Sequence, residues 1–207
     1  MRVLIACESS GIVREAFRAR GHVAMSCDMK PSEQEGMHYQ GDVRDVIHAC
    51  WDLMVAHPPC THLSVSGAAY FEQKIIDGRQ QSAASFFMEL ARADIPLIAI
   101  ENPVCIMSSV WREPDQIVQP YQFGHDASKA TCLWLKGLPP LKPTKFIEPR
   151  YVDGKPRWSN QTDSGQNKLP PSDERATERS RTYQGIAEAM AEQWTAWVSR
   201  SSELFAA

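Results

Sequence analysis

The sequence predicts an α/β fold, a doubly wound and mostly parallel sheet with helices on both faces. Three observations carry this expectation. Apolar strands alternate with amphipathic helices through the first hundred residues, the strands are too continuously apolar for a sheet with one wet face, and polar residues or chain breakers follow the strands abruptly. In order, "RVLIAC" (2–7) reads as a buried strand, "GIVREAFRARG" (11–21) as a helix closed by Gly21, and "HVAMSCD" (22–28) as a strand ending on Asp28. "WDLMVA" (51–56) is a further strand, "RQQSAASFFMELARAD" (79–94) a helix, and "IPLIAI" (95–100) a strand that stops at Glu101, Asn102 and Pro103. "ATCLWL" (130–135) reads as a strand suited to an antiparallel pairing, and "GIAEAMAEQWTAWV" (185–198) as a last helix.

With 207 residues, 43% of them hydrophobic, the chain is expected to form a single domain over 1–207 with an ample core. Residues 136–182 hold seven of the 14 prolines and read as an extended surface excursion. The net charge of −3 is unevenly spread: residues 142–182 carry nine basic and six acidic groups, so this stretch alone is net positive and can meet phosphates. No apolar run is long enough to span a bilayer, and "MRVLIACESS" turns polar too early for a secretory leader, so a cytoplasmic location is expected. The six cysteines (7, 27, 50, 60, 105, 132) form no CxxC pair and no Cys/His ligand spacing, which predicts reduced thiols and no metal site.

Open parallel sheets bind ligands outside the carboxyl ends of their strands. Three motifs fall there: "CESSG" (7–11), "HPPCTH" (57–62) and "ENP" (101–103). Pro58 and Pro59 each lack an N–H and fix φ, so the strand through Val55 must stop and deliver Cys60 at a stiff corner. Cys60 is a candidate nucleophile, although cysteine is also a common small core residue. Asp28, closing its strand, can accept hydrogen bonds from both ribose hydroxyls of a bound nucleoside. His57 and His62 flank Cys60, but a nucleophile's base usually comes from elsewhere in a fold, and both read as loop residues.

Taken in order, these pieces resemble the C5-cytosine DNA methyltransferases, in a small, phage-like form without a large target-recognition domain. "CESSG" stands where that family has its Phe-x-Gly-x-Gly cofactor loop, Asp28 where it has a ribose-binding acid, and "GDVRDV", with Asp42, where an Asp contacts adenine. "PPC" matches the nucleophile motif, "ENP" resembles Glu-Asn-Val, and "YQGIAEAMAEQW" is similar to the final Gly-rich helix. The chain departs from the family at Cys7 and Ser9, which replace Phe and the first Gly, and at "SKATCLWL", where Lys129 and Thr131 stand near the positions of two arginines.

The resemblance implies S-adenosyl-L-methionine as cofactor, held by Cys7, Glu8, Ser9, Ser10, Gly11, Asp28, Asp42 and Pro58, on a sheet of the S-adenosylmethionine-dependent methyltransferase type. It implies Cys60, Glu101 and Asn102 as catalytic residues. Cytosine C5 is a poor nucleophile, and addition of a thiolate at C6 turns it into an enamine carbon that can take a methyl group. A carboxyl facing N3 and the exocyclic amine supports the charge that grows at N3. DNA is the expected substrate, contacted by Lys129, Thr131, Arg175, Arg179 and Arg181. The same chemistry on a free cytosine nucleotide or RNA is an alternative, and so is a non-catalytic nucleoside- or DNA-binding module of this fold. If the protein is phage-encoded, its place is the host cytoplasm.

Overall fold

A computed structural model describes residues 1–170, 172 and 175–205, with the backbone alone at 176 and 201–205. The parts of the expected excursion at 171, 173 and 174 lie outside the described residues, as do 206 and 207. The first half runs β1 (Arg2–Ala6), α1 (Ile12–Arg18), β2 (Val23–Asp28), β3 (His38–Gln40), β4 (Leu53–Ala56), α2 (Phe71–Ile76), α3 (Arg79–Ala91) and β5 (Leu97–Pro103). The second half adds α4 (Met107–Val110), β6 (Gln116–Val118), β7 (Thr131–Lys136), β8 (Arg150–Val152), β9 (Lys155–Arg157), α5 (Arg175–Ser180) and α6 (Gln184–Phe205).

Seven strands form one sheet in the order β3-β2-β1-β4-β5-β7-β6, and β8 and β9 form a separate hairpin within the proline-rich excursion. Strands β1 to β5 pair in parallel, whereas β7 lies antiparallel to both β5 and β6. This is an α/β fold of Rossmann-like order, modified by the antiparallel strand that enters between β5 and β6. Among the described residues, no helix is long and apolar enough to cross a membrane.

Alternation along the buried strands divides the core in two, as a sheet covered on both faces requires. Val3, Ile5, Leu53 and Val55 pack with Phe17, Met190 and Trp194 from α1 and α6. Leu4, Ala6, Met54 and Ile98 face the other way, onto Phe87 and Leu90 of α3 and onto Trp134. The indole N–H groups of the three buried tryptophans are satisfied: Trp194 donates to the Pro139 carbonyl at 3.0 Å, Trp134 to the Arg112 carbonyl at 2.9 Å and Trp51 to the Val46 carbonyl at 2.9 Å.

One expected boundary is wrong in an informative way. The strand after Ile95 does not stop at Glu101 but continues through Asn102 to Pro103. Its parallel neighbour β4 ends at Ala56, opposite Ile100, while β7 keeps pairing beyond that point, with Glu101 opposite Leu133, Asn102 opposite Cys132 and Pro103 opposite Thr131. Tertiary pairing supplies the partners that local sequence does not reveal, and Pro103 is tolerated as the last residue of the strand.

Helix α6 starts against the loop before β7. The Gly185 N–H donates to His125 Nε2 at 2.9 Å, and a Cβ at Gly185 would lie 2.0 Å from the Phe123 carbonyl oxygen. Gly185→Ala gains about 1 kcal/mol of helix propensity but forces backbone against backbone. The expected net result is a destabilisation of about 1–3 kcal/mol, seen as a melting temperature lower by at least roughly 2 °C. An unchanged or raised melting temperature would contradict this packing.

Candidate active site

The carboxyl ends of β1, β2, β4 and β5 open into a single cleft of about 1570 Å³. Small-molecule pockets typically measure roughly 300–1000 Å³, so this cleft is larger than one such pocket. Cys7 to Ser10, Asp28 and Asp42 line one part of it, and His57, Cys60, Glu101, Asn102 and Lys129 another.

At the first part, Cys7 leaves β1 with φ 60°, a left-handed conformation that is uncommon for a residue with a side chain. Burial, together with the charges of Asp28, Cys27 and Asp42, pushes the Cys7 thiol up to about 12, so it stays protonated at neutral pH. The turn then reaches Gly11, with φ 74°, where a Cβ would lie 2.8 Å from the buried Arg14 guanidinium. Gly11 offers no side chain to the start of α1, and Glu8 caps it instead. Its carboxylate accepts from the Val13 N–H at 2.8 Å, the Arg14 N–H at 3.3 Å and the Ser10 hydroxyl at 3.0 Å. The site that would otherwise attract an anion is thus filled by the chain's own carboxylate.

Arg14 spans from α1 to the loop after β2. It donates to Ser26 Oγ at 2.8 Å, to Ser32 Oγ at 3.0 Å and to the carbonyls of Gln34 and Glu35 at 3.0 and 2.9 Å. That loop is also held by the Glu33 N–H, which donates to the Ser9 carbonyl at 2.8 Å. Asp28 ends β2 with its Oδ1 accepting from the Lys30 N–H at 2.9 Å. Asp42 is more committed: it accepts from the Arg44 N–H at 3.0 Å and pairs with the Arg44 guanidinium at 3.1 Å, which holds its carboxyl below the usual range.

At the second part, β4 ends and the chain passes through His57 to Pro58, Pro59 and Cys60. The His57 N–H still donates to the Ala6 carbonyl at 2.9 Å, extending the β1 ladder by one residue. Pro58 is buried and does not line the cleft, but its carbonyl accepts from Asn102 Nδ2 at 2.8 Å. Cys60 follows, half-buried, and its carbonyl accepts from the Leu63 and Ser64 N–H groups at 3.0 and 2.9 Å. The buried Lys74 ammonium donates to the Thr61 carbonyl at 2.8 Å and braces the turn.

Glu101, only 8% exposed, accepts at its Oε2 from His57 Nδ1 at 3.1 Å and from the Thr182 hydroxyl at 2.9 Å. Burial alone would raise its pKa, but the His57 hydrogen bond and charge, with Lys129 and Thr182, outweigh burial and hold the carboxyl well below the usual range. Burial alone would lower the His57 pKa, and the hydrogen bond and charge of Glu101, with Glu8, reverse this and raise it. Both shifts favour the ion-paired form, and His57 Nε2 and Asn102 Oδ1 are buried without a partner among the described residues.

The expected substrate residues divide. Lys129 reaches the cleft, its Nζ donating to the Arg181 carbonyl at 3.2 Å. Thr131 does not line it: it is buried in β7 with its hydroxyl donating to the Lys129 carbonyl at 3.2 Å. Arg179 and Arg181 line the cleft, while Arg175 stands at the start of α5 outside its wall. Arg181 pairs with Glu33 at 2.7 Å and with Glu178, so its charge is already met within the chain. Together with Lys30, which donates to Thr177 Oγ1 at 3.3 Å, these contacts carry α5 across the cleft to the loop after β2.

Sequence reasoning set His57 aside as a loop residue and did not single out Thr182. The available signal for His57 was its place immediately beyond a strand on the edge where ligands bind; Thr182 offered none, because its 81-residue separation from Glu101 closes only in the fold. Among the described residues, no group of three or more His, Cys, Asp or Glu is arranged to hold a metal, and all six cysteines are free. In comparison with known proteins, no family model matches the chain and no curated protein is a significant match in sequence.

Asn102 is 2% exposed and its amide ties the end of β5 to the Cys60 corner. Asn102→Ala leaves the Pro58 carbonyl without its donor, and the expected cost is about 1–3 kcal/mol of stability by urea unfolding. A variant as stable as the wild type would show that this hydrogen bond does not hold the corner.

Proposed function

We propose that the protein is an S-adenosylmethionine-dependent methyltransferase acting on C5 of cytosine, with Cys60 as nucleophile and DNA as substrate. The observation that carries this reading is the meeting of Cys60 and Glu101 in one cleft that also has an acid-lined nucleoside end. The antiparallel β7 within an otherwise Rossmann-like sheet agrees with the methyltransferase type of fold. The residues also fit this cofactor better than a dinucleotide. Glu8 fills the start of α1, where a pyrophosphate would otherwise sit, and its negative charge suits a cationic sulfonium. Asp28 has an oxygen left for ribose hydroxyls, and Cys7, Ser9, Ser10 and Asp42 complete that end of the cleft.

When bound, the cofactor supplies an electrophilic methyl group. Of the three cysteines lining the cleft, burial pushes Cys7 up to about 12 and Cys27 up to about 11, and Cys60 shares the cleft with Glu101. The Cys60 sulfur adds to C6, the C5–C6 electron pair becomes available at C5, and Glu101 faces the N3 edge. Removal of the C5 proton restores the double bond and expels the thiolate. In a duplex the cytosine must first leave the stack to reach Cys60 in the cleft.

A free cytosine nucleotide is the second reading, favoured by one observation. Arg181, an expected phosphate contact, is neutralised by Glu33 and Glu178 in a segment that roofs the cleft. Transfer of labelled methyl from S-adenosylmethionine, compared across duplex DNA, single-stranded DNA, RNA and cytidine nucleotides, separates the two. DNA is expected to accept label, with Cys60→Ser abolishing transfer while the fold is kept, because a serine hydroxyl is far less nucleophilic than a thiolate. Turnover of nucleotides alone would establish the second reading, and full activity of Cys60→Ser would refute Cys60 as nucleophile.

A further inference from the structure

Resting on the cytosine C5 reading, we propose that His57 is a positioning residue that fixes the Glu101 carboxylate and stores the proton taken by N3 when Cys60 adds to the ring. The geometry supports this directly. His57 Nδ1 and Thr182 Oγ1 both bond to Glu101 Oε2, and among the described residues no side chain bonds to Oε1, the oxygen left for a ligand. The His57 side chain is only 12% exposed and lines the cleft, and its Nε2 has no partner among the described residues. A buried polar atom without a partner calls for an explanation, and a ligand in the cleft is the nearest source of one.

The proton count explains why such a reservoir is needed. Cytosine N3 is an acceptor, and so is a carboxylate, so the two do not bond unless a proton lies between them. Glu101 is held ionised by its neighbours and has no proton of its own to give. In the resting site the shared proton resides on His57. When the Sγ–C6 bond forms, N3 takes a proton by way of Glu101, and His57 Nδ1 replaces it. His57 ends neutral and Glu101 ends as the carboxylate it was, so the thiolate's negative charge and the imidazolium's positive charge cancel. When the thiolate leaves C6, the proton returns from N3 to the pair.

The charged groups acting on His57 come from several elements: Glu101 on β5, Glu8 after β1, and Lys129 before β7, which opposes protonation. The first two outweigh Lys129 and burial, so His57 holds its proton to a pH above the ordinary value near 6.5. The sign follows. Methyl transfer that depends on this proton is supported below the raised His57 pKa and lost as pH rises through it. Folding stability from the pair behaves the same way on the alkaline side, and on the acid side it fades as pH falls through the lowered Glu101 pKa.

Two measurements test this. The first follows His57 by NMR across pH in the full chain, in wild type and in Glu101→Gln. The expected result is titration above the ordinary histidine value, moving down in Glu101→Gln; an unmoved midpoint would overturn the pairing. The second measures kcat and KM against pH for wild type, His57→Asn and His57→Ala. His57→Asn keeps a donor for Glu101 but cannot titrate, and it should lose the alkaline fall in kcat. His57→Ala loses donor and proton together, and kcat should drop by about 100-fold or more with KM for S-adenosylmethionine unchanged. A wild-type kcat and an intact alkaline limb in His57→Asn would overturn the proposal while leaving the methyltransferase reading standing. Absence of methyl transfer to any cytosine substrate by the wild type would overturn both, even with the NMR shift present.

Discussion

Six residue pairs between β5 and the antiparallel β7 carry Glu101, Asn102 and Pro103 past the end of β4. Everything proposed for this protein depends on that overhang. Without β7 the chain after Ile100 would have no partner on either side, because β4 has already turned away through two prolines. With it, two polar side chains stand rigidly at the rim of a parallel sheet, opposite the strand end that delivers Cys60. One of them, Asn102, reaches back to the Pro58 carbonyl and fixes the separation between the two strand ends. A corner stiffened by prolines and tied by an amide is suited to chemistry that requires a sulfur held close to a ring carbon.

Charge in the cleft is arranged with similar economy. Burying an ion pair such as Glu101 and His57 rarely adds stability, because the desolvation of both groups offsets their attraction. Perturbed titratable pairs in a cleft are a recognised mark of active sites, and this pair supports the proposed catalytic reading. At the other end, Glu8 spends its carboxylate on the start of α1, turning a potential anion site into a wall with negative charge. In the proposed reading the two ends take different ligands: a cation with a ribose near Asp28, and a base with donor and acceptor edges near Glu101.

Much of this was legible in the sequence. The continuous apolar runs gave away β1, β2, β4 and β5, and the abrupt polar residues after them marked the rim where Cys60, Glu101 and Asp28 now stand. Short strands such as β3 and β6 were not legible, because three residues are too few to show a period and they form only against a neighbour. The continuation of β5 was hidden for the same reason. The resemblance implied Thr131 as a substrate residue, but strand alternation turned it into the protein while Lys129, just before the strand, stayed in the cleft. Glu8 was placed correctly in the loop, yet its role as a helix cap could not be read, since it lies farther from the helix start than a normal capping side chain.

The central claim is that Cys60 attacks cytosine C6, and a mechanism-based trap tests it most directly. A DNA substrate carrying 5-fluorocytosine, incubated with the wild-type protein and S-adenosylmethionine, should remain covalently attached, because fluorine cannot leave C5 as a proton does. Mass spectrometry of the digested complex should then find the methylated, fluorinated base joined to the peptide containing Cys60, and none joined to Cys7. Methylation of ordinary cytosine at C5 without any such adduct, or an adduct on another residue, would contradict the account.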